Sequence, residues 1–84
     1  MLKVTHVSAL DNGYVYIELN DGRKGEVNIT PFMASPFFKA LENPNYFSKV
    51  TIFFTGIAWP DGQDLGPDTL AANLQPSSAE QKAS

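Results

Sequence analysis

Three carboxylates, Asp61, Asp64 and Asp68, stand close together in the run IAWPDGQDLGPDTL, beside the only tryptophan, Trp59. Carboxylates gathered around glycines are the raw material of a hard-cation site, because calcium and magnesium take oxygen ligands. Such a cation needs about six oxygens, and the run lacks both the Asp-x-Asp-x-Asp-Gly alternation and the distant glutamate of an EF-hand. The same residues also have a conformational reading. Pro60 presets φ for a tight turn, Asp61 can bond its own backbone, and Gly62 accepts the left-handed region. Gly66-Pro67-Asp68 then opens a helix, with Pro67 at its first position and Asp68 near the positive end of the dipole. Turn and cap account for every polar residue in the run and are preferred. A small-molecule or metal site using the Asp61–Asp68 loop stands as the alternative. Trp59 reads as a large core residue, with an interface anchor as its second reading.

Catalytic sets are scarcer still. His6 is the only histidine and there is no cysteine. A Cys-His pair is excluded, and a Ser-His-Asp triad could use only His6, which lies in an alternating strand. No Gly-x-x-x-x-Gly-Lys, Gly-x-Gly-x-x-Gly or His-Glu-x-x-His pattern occurs. The chain is read as non-enzymatic, with no catalytic residue, no cofactor and no metal.

The elements that must position these residues begin with strands. Leu2, Val4 and His6 alternate with Lys3, Thr5 and Val7 in a short first strand. In YVYIELNDGRKGEVNI a three-residue loop, Asn20-Asp21-Gly22, gathers Val15, Ile17, Leu19, Gly25, Val27 and Ile29 on one side. A two-residue loop would mix apolar and polar residues on each face, so the longer loop is preferred. It leaves Tyr14, Tyr16, Glu18, Lys24, Glu26 and Asn28 on the other face, with Glu18 opposite Lys24. Thr30-Pro31 and Ser35-Pro36 each read as an N-cap before a proline. The first should start only a turn, Pro31 to Ala34, and the second a helix from Pro36 to about Leu41, with Phe37, Phe38 and Leu41 on its apolar face. NPNYF reads as one turn that sends Phe47 inward. KVTIFFTGIAW reads as a second hairpin, whose loop is either Thr55-Gly56 or Phe54-Thr55-Gly56. A last helix should run from Pro67 to about Leu74, with Leu70 and Leu74 on one face.

Length and charge set outer bounds. Eighty-four residues, 43% of them hydrophobic, make one small globular domain, taken as 1–75, followed by a polar, disordered tail at 76–84. The fold class expected is α+β: a mostly antiparallel sheet of four to five strands with two short helices on one face. The net charge is −3 and the six basic residues are scattered, so nucleic acid is not expected as a partner of this chain alone. No run reaches the length of a membrane span or a signal peptide, and the absence of cysteine suits a reducing compartment; a cytoplasmic location is expected.

The order NDGRKGEVNITPF, then F..L.NP.YF..V, then I.WPDGQDLGPDTL resembles the bacterial family catalogued as domain of unknown function 2442. The resemblance covers about Leu2 to Leu74, and Trp59 to Leu65 is its most specific part. Gly66 and Ala71 depart from the family's usual residues. The resemblance implies a small α+β domain with no established activity, so it carries over no catalytic residue. Some relatives continue into a DNA-binding helix-turn-helix that this chain does not show. Genes of similar proteins often stand beside small toxin-like companions, which implies an antitoxin-like, protein-binding role. The function expected is therefore a non-catalytic protein-interaction module, a monomer or weak homodimer with no membrane contact. Its candidate interaction residues are Tyr14, Tyr16, Trp59, Asp61 and Asp64.

Overall fold

The loop after β2 (Tyr14–Leu19) sets the register of the main sheet. In the computed structural model, which describes residues 1–75, the Leu19 N–H donates to the Arg23 carbonyl at 2.8 Å and the Gly22 N–H to the Leu19 carbonyl at 3.1 Å. Gly22 stands at φ +95°, so Asn20-Asp21-Gly22 is the three-residue loop with a left-handed glycine. β3 (Lys24–Asn28) then places Val27 opposite Val15 and Lys24 opposite Glu18. The expected stripe forms: Val15, Ile17, Leu19, Val27 and Ile29 are all buried. Each such side chain contributes roughly 1.5–3 kcal/mol of transfer free energy.

β1 (Val4–Ala9) pairs antiparallel with β2, but its register shifts between Val4 and His6. Val4 faces Leu19 and His6 faces Glu18, leaving Thr5 as the extra residue. The expected Leu2-Val4-His6 alternation therefore stops at Val4. One inserted residue inverts every later side chain, so Val7 and Ala9 pack on the core while His6 faces out. Without the bulge the imidazole would replace Val7 inside.

β4 (Thr51–Phe53) and β5 (Gly56–Ala58) pair Phe53 with Gly56 and Ile52 with Ile57. The connecting loop is thus Phe54-Thr55, which ends one residue earlier than either loop expected. Gly56 is not a turn residue. A Cβ there would collide with the Leu65 carbonyl oxygen of β6 (Asp64–Leu65), so glycine is needed inside the strand and Phe54 takes the turn at φ +51°. Between β5 and β6, Pro60-Asp61-Gly62 repeats the first loop. The Trp59 N–H donates to the Gln63 carbonyl at 2.9 Å and the Gly62 N–H to the Trp59 carbonyl at 3.0 Å.

The helical segment has the expected limits but mostly another geometry. Thr30–Ala34 and Pro36–Glu42 are 3-10 helices, and α1 (Pro44–Phe47) is a single α turn. Prolines at 31, 36 and 44 leave too little uninterrupted backbone for longer α-helix. Thr30 does not cap; its own N–H and hydroxyl both donate to the Asn28 side-chain oxygen. Ser35 makes no side-chain cap bond. The three-residue period turns Phe38 and Leu41 to the core and leaves Phe37 exposed, unlike the α face expected.

α2 (Pro67–Ala72) ends two residues before Leu74. Asn73 closes it, with its side-chain amide donating to the Thr69 carbonyl at 2.8 Å. Leu74 and Gln75 form β7, paired with Val27 and Glu26 of β3, so Leu74 adds a strand instead of a helical turn. The fold is α+β. A four-stranded antiparallel sheet, β1-β2-β3-β7, is joined by a three-stranded sheet, β4-β5-β6, and the Val4 N–H links them by donating to the Thr55 carbonyl at 2.8 Å. The two helices expected over the sheet share that work with the second sheet and the 3-10 segments: Val4, Met33, Leu41, Phe47, Ile57, Trp59, Leu65 and Leu70 complete the core. The tail expected at 76–84 lies outside the described residues.

Candidate functional site

The Trp59–Leu65 run is anchored from beneath. Trp59 is 3% exposed; its indole N–H donates to the Phe47 carbonyl at 2.9 Å and its ring lies 5.7 Å from that of Phe47. Gln63 is 2% exposed and is the buried polar side chain of the region. Its Oε1 accepts from the Tyr46 hydroxyl at 2.7 Å, and its Nε2 donates to the Phe37 carbonyl at 3.0 Å. The Tyr46 hydroxyl oxygen accepts in turn from the Asp61 N–H at 2.7 Å. Loop, 3-10 helix and α1 are thereby pinned to one another.

Gln63, just before β6, and Leu65 are buried, while Asp64 between them is exposed. Asp61, Asp64 and Asp68 are all exposed. Among the described residues, no group of three or more His, Cys, Asp or Glu side chains is placed to hold a metal ion. Sequence reasoning singled out the aspartates and passed over Gln63. The available signal was its position two residues before Leu65, in step with that buried side chain.

Tyr14 and Tyr16 lie on the outer face of the main sheet, both half-buried. Tyr14 sits opposite Asn28, and Tyr16 between Ser8 and Glu26. The Tyr16 hydroxyl donates to Glu18 Oε2 at 2.7 Å, and the His6 ring meets Tyr16 edge-on at 5.9 Å. The tyrosines are thus held in place by neighbours while keeping part of their surface open.

Two further surfaces were not anticipated. Ile52, Phe53 and Phe54 of the β4–β5 hairpin are 43%, 48% and 87% exposed, with the two phenyl rings 4.5 Å apart. β4 is an edge strand whose residues are all exposed, and Phe54 stands in the turn beside it. An open groove of about 1000 Å³ also lies between the β1–β2 turn and the helical segment. Away from both surfaces, Arg23 bonds Asp21 at 2.8 Å within the first hairpin loop. The side-chain hydrogen bond from Arg23 holds the Asp21 carboxyl below its ordinary range, and Asp21 raises Arg23 in return. Both groups serve the turn.

The strands, the pinned Trp59–Leu65 loop and the closing β7 all lie in one matched stretch: the profile of the family described as protein of unknown function, DUF2442, matches residues 4–76. The chain belongs to the DUF2442 family. The match takes in every strand and helix of this DUF2442 domain among the described residues, from β1 to β7. Neither a curated protein nor a solved structure matches the chain. No helix among the described residues is long and apolar enough to cross a membrane.

Proposed function

We propose that this DUF2442 domain is a non-catalytic protein-interaction module. The observation that carries the reading is the β4–β5 hairpin, where Phe54 is 87% exposed at φ +51°. A bulky side chain in the left-handed region costs of order 1–3 kcal/mol, and a phenyl ring 87% exposed returns little to the fold beyond its contact with the Phe53 ring. Contiguous exposed aromatics are what a partner buries, and aromatic anchors dominate interface energies. In this reading Tyr14 and Tyr16 form a second, more polar contact area. The finer, antitoxin-like version, in which the domain neutralises a small companion protein, rests on the family resemblance. The module would then work in the cytoplasm, as a monomer or weak homodimer, on protein and not on nucleic acid or membrane.

Affinity capture from the native host under mild conditions tests the proposal. A stoichiometric small protein partner is expected, and repeated empty captures would contradict it. The alternative, a ligand or metal on the Asp61–Asp68 loop, makes a different prediction. Binding to the native state alone raises the melting temperature by mass action. Calcium, magnesium and manganese are expected to leave it unchanged; a rise abolished by Asp61→Asn and Asp64→Asn would replace the interaction reading.

A further inference from the structure

At the end of β1 away from the β4–β5 hairpin, the groove of about 1000 Å³ has a sealed apolar floor. Met33, Leu41 and Phe47 close it from beneath and are themselves buried, while Leu10, 38% exposed, and Pro44 give the groove its open apolar surface. One wall is the Asp11–Gly13 turn, and that wall is held rigidly. The Leu10 N–H donates to the Tyr14 carbonyl and the Ile29 N–H to the Gly13 carbonyl, both at 2.8 Å. On the rim, Lys39 and Glu42 neutralise each other at 3.3 Å. Among the described residues the Asp11 carboxylate has no hydrogen-bonding or ionic partner. The groove therefore combines apolar contact area with one uncompensated negative charge, in a chain of net charge −3.

We infer that this groove takes a segment of a protein partner in which an apolar side chain stands next to an arginine or lysine. The apolar group covers Leu10 and Pro44 above the buried Met33, Leu41 and Phe47, and the cation reaches Asp11. An acidic segment would meet Asp11 as a like charge, and a wholly polar one would leave Leu10 uncovered. The volume falls at the upper end of ligand sites, about 300–1,000 Å³, and the open mouth suits an extended chain. The inference rests on the interaction-module reading and gives it a contact surface distinct from Phe54.

The test is an amide chemical-shift titration of the full chain with a capped Gly-Leu-Arg-Leu-Gly peptide and its Gly-Leu-Glu-Leu-Gly counterpart. The arginine peptide should shift the amides of Asp11, Met33 and Ser48 saturably, with Kd on the order of 1 mM for so small a probe. Asp11→Asn should weaken it about three- to fivefold, the worth of one exposed ion pair. Lys39→Gln, which releases Glu42, should tighten it, and Asp64→Asn, outside the groove, should change nothing. Equal binding of the two peptides, or unaltered binding by Asp11→Asn, would overturn the inference. So would a response to phenethylamine with none to either peptide, which would assign the groove to small cationic amphiphiles. The two readings fail separately: silent peptides beside a partner captured undiminished by Asp11→Asn remove the groove and keep the interaction module.

Discussion

Gly22 and Gly56 constrain the chain in different ways, and substitutions separate them. A Cβ at Gly22 would meet nothing within 4 Å, so Gly22→Ala should cost about 1 kcal/mol through the left-handed backbone alone. A neutral result in urea unfolding would reject the turn. At Gly56 the added carbon meets the Leu65 carbonyl, so Gly56→Ala should cost about 2 kcal/mol or more through overpacking. Asp21 gives a residue-level test in pH. Its carboxyl is lowered from 3.8, chiefly by the side-chain hydrogen bond from Arg23. The stabilisation is therefore present above the unfolded value and lost as pH falls through the lower folded value. Asp21 and Arg23 are solvent-exposed, so the effect is small. Asp21→Asn should lower the melting temperature slightly at about pH 7 and make no difference at about pH 2; a difference that persists in acid would contradict the pairing.

Elements were legible where local pattern and tertiary packing agree. In β2 and β3, alternation, loop chemistry and the Glu18-Lys24 pairing point to one register, and that register forms. The β4–β5 turn was not legible because Gly56 answers to Leu65, nine residues away and on another strand. The bulge in β1 was hidden for a similar reason: only the demand that Val7 and not His6 be buried reveals it. The acidic loop was legible as a turn, while Gln63, which holds it, was not, because its partners at Tyr46 and Phe37 are remote in sequence. Gln63→Leu would leave the Phe37 carbonyl and the Tyr46 hydroxyl short of a partner, at an expected cost of about 2 kcal/mol. Tyr46→Phe should also destabilise, and the double substitution should cost less than the sum of the two. Additive losses in denaturant unfolding would show that the network is not one unit.

At the scale of the whole molecule, the core cluster draws on both sheets and on the helical segments from Thr30 to Phe47 and in α2, while the β4–β5 hairpin sends Phe54 outward at φ +51°. A chain shaped for stability alone would place asparagine or glycine there, since both tolerate the left-handed region. Stability and partner binding therefore make opposite demands on one residue. The most direct measurement compares wild type and Phe54→Asn in thermal unfolding and in quantitative capture of the native partner. The interaction reading predicts a melting temperature equal to or above that of the wild type, together with loss of the stoichiometric partner. Undiminished capture by Phe54→Asn, persisting when Tyr14→Ser and Tyr16→Ser are added, would contradict it.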